Sequence, residues 1–140
     1  MSKVLGVIAE YNPFHNGHLY HLQKSKELTN ADYTIAIISG NFTQRGSTSV
    51  IDKWAKTQMA LNNEIDLVIE LPVLYSISSA ENFADGAIKI LSSLGIVNYL
   101  SFGAETSDIN LLKFISNILC DEPKEFKTLL SNELKSGLSF

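Results

Sequence analysis

At 140 residues the chain has the length for one sizeable core and not for two. Hydrophobic residues at 45% and charged residues at 19% exclude a disordered chain, and a net charge of −4 argues against a surface that holds nucleic acid by bulk electrostatics. Cys120 is the only cysteine, which excludes an internal disulfide and a cysteine-built zinc site.

Residues 4–9 form a short apolar run that stops at Glu10, Asn12 and Pro13, as in a strand buried on both faces of a parallel sheet. The run is too short for a signal segment or a membrane span, and no later stretch is long enough for either, so the protein is expected to be cytoplasmic. From Asn16 the spacing becomes helical, with Leu19, Leu22 and Leu28 on one side and Lys24, Lys26 and Glu27 on the other. Asn16 is the expected N-cap and Thr29-Asn30 the expected stop. Residues 33–39 predict a second buried strand, followed by a polar loop over 40–49. Residues 50–62 predict a helix holding Trp54, Met59 and Leu61, and 67–71 a third strand closed by Pro72. Residues 79–94 predict a helix with Gly95 just beyond its end. Residues 99–102 predict a fourth strand, and 110–119 and 124–134 two more helices. Trp54, Phe83, Phe102 and Phe114 are read as core.

Strand and helix alternate throughout, the signature of a doubly wound α/β sheet of Rossmann type. The chain reads as one domain over 1–140. It reaches Ser139 and Phe140 without a stop signal, so a domain cut from a longer protein is expected.

In such a sheet ligands bind beyond the carboxyl ends of the strands, where the strand order reverses. Three loops there carry chemistry: residues 10–18, 40–49 and 103–107. The first opens a helix, so its backbone N–H groups and the helix dipole favour an anion. His15 and His18, three apart, fall on one side of the first helical turn. Gly17 between them removes a Cβ and lets a ligand approach the backbone. Two imidazoles near an α-phosphate can donate hydrogen bonds as charge shifts in the transition state, with no nucleophile from the protein. The plainer reading, a capping or surface histidine, suits one His better than a pair flanking Asn-Gly. Metal ligation by the two, with His21 as a third, lacks a cysteine or a close carboxylate.

The second loop, Gly40-Asn41-Phe42-Thr43-Gln44-Arg45-Gly46-Ser47, looks like a phosphate loop but spaces its glycines by five residues and has no Lys after Gly46. Asn41, Gln44, Arg45 and Lys53 are its candidate substrate or anion contacts, Arg45 through a bidentate clamp. An ordinary solvated loop is the competing reading. In the third loop Gly103 leaves room for a nucleotide base and Glu105 is a candidate helix cap, against a turn glycine and a surface acid. Glu10 and Glu70 at strand ends need partners, for which Arg45 and Lys53 are available.

The stretch Gly6-Val7-Ile8-Ala9-Glu10-Tyr11-Asn12-Pro13-Phe14-His15-Asn16-Gly17-His18-Leu19 resembles the start of the bacterial tRNA(Met) cytidine acetate ligase family. The core His15-x-Gly17-His18 alone indicates the wider nucleotidylyltransferase superfamily. Ser39-Gly40-Asn41-Phe42-x-Gln44-Arg45-Gly46, Asp52-Lys53-Trp54-Ala55, Asp66-Leu67-Val68-Ile69-Glu70-Leu71-Pro72 and Ser101-Phe102-Gly103-Ala104-Glu105 narrow it to that family. The resemblance implies activation of acetate by ATP to acetyl-adenylate and pyrophosphate. The acetyl group then passes to N4 of the wobble cytidine of elongator tRNA(Met). It implies an ATP site lined by Ile8, Ala9, Glu10, Tyr11, Asn12, Pro13, Phe14, His15, Asn16, Gly17, His18, Leu19, Tyr20 and His21, with Gly103 beside the nucleotide and His15 and His18 as catalytic phosphate contacts. Mg²⁺ is expected to arrive with ATP, without a protein cage of its own. The chain departs from the family at Ser47-Thr48-Ser49, where Glu-Pro-Ala is usual, and at Lys56, where Arg is common. Family members are also much longer, so contacts to tRNA are expected through the longer protein. The alternatives are a nucleotidylyltransferase joining AMP to a phosphorylated small molecule and a nucleotide- or RNA-binding module without chemistry.

Overall fold

The structure is a computed structural model that describes residues 2–137; Ser139 and Phe140, the chain end discussed above, lie outside them. Its contacts divide the chain into two compact units, one ending at Gly103 and one beginning at Ala104. The first unit holds strands β1 (Val4–Ala9), β2 (Tyr33–Ser39), β3 (Leu67–Leu71) and β4 (Tyr99–Ser101), with helices α1 (Asn16–Thr29), α2 (Lys53–Leu61), α3 (Val73–Ser76) and α4 (Ala80–Ser93). The second holds α5 (Ile109–Asp121) and α6 (Lys124–Lys135).

All strand pairs are parallel and the sheet order is β3-β2-β1-β4. The order reverses at β1, so the switch point lies between β1 and β4. Alternation along the strands divides the core between two faces. Leu5, Val7, Ala36 and Ile38 join Leu22 of α1 and Ala60 of α2 on one face, and Val4, Ile35, Ile37 and Leu71 join Ala87 and Leu91 of α4 on the other. Helices therefore cover both faces, as the alternating sequence predicts. Gly6 lets α4 sit close to β1, because a Cβ there would lie 2.9 Å from a Leu91 methyl.

One device recurs at three strand starts. Asp32, Asp66 and Asn98 stand immediately before β2, β3 and β4. Each donates its own N–H to a carbonyl at the start of the neighbouring strand, those of Lys3 (the residue before β1), Thr34 and Val4 respectively, at 2.8 to 3.0 Å. Each side chain then accepts the N–H of that same residue, at 2.7, 2.7 and 2.8 Å. An Asx side chain thus supplies the acceptor that a further ladder residue would have offered.

Several boundaries and burials differ from expectation. Helix α1 is capped by His15, not Asn16, and ends at Asn30 in the left-handed conformation. Helix α2 begins at Lys53 because the Asp52 side chain accepts the N–H groups of Trp54 and Ala55, so residues 50–52 precede it. The short α3 was not anticipated. Strand β4 stops at Ser101, and α5 is capped by Asp108 rather than Glu105. Of the four aromatics read as core, only Phe83 packs against it. Trp54 (74% exposed), Phe102 and Phe114 are on the surface, as is Leu28 of α1. An aromatic letter records apolar area but not whether a neighbouring element covers it.

Candidate functional site

Beyond Ala9 the chain turns sharply at the switch point. Tyr11 takes a left-handed φ of 49° and the Asn12–Pro13 peptide is cis. A positive φ in an aromatic residue is strained by about 1–2 kcal/mol and is held here by packing. The Tyr11 ring is buried, lying edge-on to Phe14 at 4.8 Å and to His18 at 4.9 Å. Burial pushes its hydroxyl up to about 12. Asn12 Oδ1 accepts the N–H of Val50 at 2.7 Å, tying this loop to the end of the second one.

The two histidines form the first turn of α1. Their rings stack with centroids 3.7 Å apart. His15 Nδ1 accepts the N–H of Gly17 at 3.1 Å, and His18 Nδ1 accepts the N–H of His15 at 3.2 Å. Each Nδ1 accepts from backbone, so each neutral ring carries its proton on Nε2. Burial, and then the charges of His15 and His21, hold His18 below the ordinary imidazole value. Gly17 has a more local reason than ligand approach: a Cβ there would lie 3.0 Å from the His15 ring. The result is two fixed N–H donors beside the positive end of a helix.

They face an open cleft of about 560 Å³ at the carboxyl end of β1. Of the expected ATP-binding residues, Ile8, Ala9, Glu10, Tyr11, His15, Gly17, His18, His21 and Gly103 line it. Asn12, Pro13, Phe14, Asn16, Leu19 and Tyr20 do not: Asn12 and Phe14 brace the loop, and Tyr20 is exposed. The position of a Cβ on Gly103 is open space, with nothing within 4 Å. His21, one turn beyond His18, binds Ser101 Oγ through Nε2 at 3.0 Å.

The second loop uses most of its polar side chains internally. Asn41 Oδ1 accepts the N–H of Lys53 at 2.9 Å, Gln44 Nε2 donates to the Ser78 carbonyl at 2.6 Å, and the Glu10 carboxylate accepts the Gln44 N–H. Lys53 pairs with Glu70 at 2.7 Å. Arg45 is exposed, and it alone of the four candidates has a side chain with no hydrogen bond or ion pair among the described residues.

The role that sequence reasoning misses is that of Lys56. It is fully buried, and its Nζ donates to the Glu10 carbonyl at 3.2 Å, Ser39 Oγ at 3.3 Å and Ser49 Oγ at 2.9 Å. Burial lowers its pKa while Glu10 and Glu70 oppose the shift. Lys56 joins the ends of β1 and β2 to the second loop. A buried lysine leaves no periodic signal, and only its departure from the family's usual Arg marks the position.

Among the described residues no three His, Cys, Asp or Glu side chains gather to hold a metal, and no helix is long and apolar enough to cross a membrane.

The profile of the HIGH nucleotidyl transferase family matches residues 2–140. The chain is 61% identical over 137 residues to a tRNA(Met) cytidine acetate ligase of Thermoanaerobacter sp. (strain X514), covering 98% of this chain and 34% of that protein. It is 53% identical over 138 residues to the protein of that name from Acetivibrio thermocellus, covering 99% and 33%. Among solved structures it resembles Thermotoga maritima TmcAL bound with alpha-thio ATP, at a TM-score of 0.87 and 51% identity over 99% of this chain and 34% of that one. The apo form of that protein gives a TM-score of 0.88. The chain thus spans about a third of the length of the relatives it matches. Their names agree with the resemblance drawn from the motifs. With the paired imidazoles at the start of α1 and a profile matched along nearly its whole length, the chain belongs to the HIGH nucleotidyl transferase family.

Proposed function

We propose that this chain is the ATP-binding and carboxylate-activating part of a tRNA(Met) cytidine acetate ligase acting in the cytoplasm. The observation that carries this reading is the pair of Nε2–H donors at the start of α1, fixed because each Nδ1 accepts a backbone N–H. Names of relatives that are 53% and 61% identical support it, as does the alpha-thio ATP bound to the Thermotoga neighbour.

An acetate oxygen attacks the α-phosphorus of ATP, and the bond to the bridging oxygen of pyrophosphate breaks, leaving acetyl-adenylate. His15 and His18 are the catalytic residues. They donate to phosphate oxygens as charge shifts toward the leaving group, and need no reorganisation because the backbone already holds them. The N4 amine of the wobble cytidine of elongator tRNA(Met) then attacks the acetyl carbon and releases AMP. Ile8, Ala9, Glu10, Tyr11 and Gly103 line the nucleoside side, and Asn12, Pro13, Phe14, Asn16, Leu19 and Tyr20 shape the loop and helix from behind. Mg²⁺ arriving with ATP would offset the phosphate charge without a protein cage of its own. Arg45, the unpaired member of the second loop, is the candidate contact to an anionic substrate; Asn41, Gln44 and Lys53 hold that loop in shape.

The test is ATP–pyrophosphate exchange with and without acetate, on wild type and His18→Ala. Exchange that needs both acetate and His18 is expected. Exchange driven by a phosphate ester instead would replace this reading with adenylyl transfer to a phosphorylated small molecule.

A further inference from the structure

The third histidine of the cleft is held differently from the other two. His21 Nε2 lies 3.0 Å from Ser101 Oγ, and Ser101 Oγ lies 2.6 Å from Ser25 Oγ. Ser25 Oγ in turn lies 2.7 Å from the carbonyl oxygen of His21. The protons of this chain can be counted. A carbonyl only accepts, so the single Ser25 hydroxyl proton goes to the His21 carbonyl. Ser101 must then donate its own proton to Ser25, and its remaining contact, with His21, requires the proton to sit on Nε2. Burial holds His21 below the ordinary imidazole value, so the ring is neutral near pH 7. A neutral ring protonated on Nε2 has a bare Nδ1. That atom has no partner among the described residues, and it is not among the buried atoms left unpartnered, so solvent or a ligand reaches it.

The cleft therefore offers two kinds of group. His15 and His18 have Nδ1 engaged and Nε2–H free; His21 has Nε2–H engaged and Nδ1 free. A bare ring nitrogen repels phosphate oxygens and accepts from a hydroxyl or an amine. We propose that Ser25 and Ser101 are positioning residues that hold His21 with its proton on Nε2, so that Nδ1 accepts a hydrogen bond from the nucleoside part of the ligand, a ribose hydroxyl or the exocyclic amine. This rests on the nucleotide reading given above and adds the polarity of the site. Donors on the protein meet the phosphates, and an acceptor one helical turn farther along meets a donor of the nucleoside.

Two measurements test it. Long-range ¹H–¹⁵N spectra of the protein should show His21 protonated on Nε2 in wild type, should lose that preference in Ser101→Ala, and should regain it in Ser101→Thr, which keeps the hydroxyl. Calorimetric titration with ATP, 2′-deoxyATP, 3′-deoxyATP and purine riboside 5′-triphosphate removes one donor at a time. One of the three analogues should bind about three- to tenfold more weakly than ATP. That difference should disappear in His21→Phe and Ser101→Ala and return in Ser101→Thr. A proton found on Nδ1, three analogues that bind as ATP does, or a difference that persists in His21→Phe would each overturn the inference while leaving ATP binding intact. Failure of ATP itself to bind would instead remove the nucleotide reading, and the ligand half of this inference with it.

Discussion

Of the two loops at the carboxyl end of the sheet, the first uses its histidines in the opposite way to the polar side chains of the second, although its Asn12 and Glu10 also bind backbone N–H groups. In the first, backbone N–H groups bind the inner nitrogens of His15 and His18, so the outer nitrogens stay free and fixed. Around the second, Asn41 Oδ1 and Gln44 Nε2 bind backbone groups and Lys53, at the start of α2, pairs with Glu70, so those atoms are occupied. Polar residues near a cleft are thus no measure of chemistry. What matters is whether the fold consumes the reactive atom or the atom behind it.

The largest expected effect breaks that contrast at its centre. His18→Ala should lower ATP–pyrophosphate exchange about 100- to 1000-fold while changing unfolding free energy by less than about 1 kcal/mol. Comparable losses in both would make His18 a capping residue only. Next comes the buried lysine shared by the two loops. Lys56→Met leaves the Glu10 carbonyl and the Ser39 and Ser49 hydroxyls without their donor, and should cost about 2 kcal/mol in denaturant unfolding. In the second loop, Gln44→Ala should cost about 1 kcal/mol, whereas Arg45→Ala should leave unfolding unchanged and raise the KM of the anionic substrate; the reverse pattern would undo the comparison. The smallest effect is with pH. The folded value of His18 lies below the unfolded value of about 6.5, so the folded chain binds fewer protons. Its contribution to stability is present above that pH and is lost as pH falls below it. The slope should shrink in His18→Ala; an unchanged slope would remove this residue from the pH dependence.

Much of the fold was legible because buried strands and capped helices leave local marks. The apolar run of β1, the Asn30 stop and Pro72 after β3 each sit where the letters indicate. The cleft was legible through His15, Gly17, His18 and His21, which lie within seven residues of one another. Helix α1 was placed one residue late because a histidine Nδ1 is an unusual cap beside an Asn. Trp54, Phe102 and Phe114 were misplaced because their burial depends on coverage, not on apolar area. The roles of Lys56, Ser25 and Ser101 are not legible in the sequence because they rest on contacts between distant positions: Ser25 meets Ser101 across 76 residues.

The Asx residues that open β2, β3 and β4 bear on how the chain avoids wrong pairings. A parallel sheet has no hairpin to set its alignment, and a slip of one residue would turn every side chain to the opposite face. Asp32, Asp66 and Asn98 each read a single residue at the start of the adjoining strand through both its donor and its acceptor. A shifted strand would forfeit both bonds at once. The amino-terminal edge of the sheet thus acts as a proofreading edge, and the opposite edge, where the histidines stand, is spared that duty and left open to a ligand.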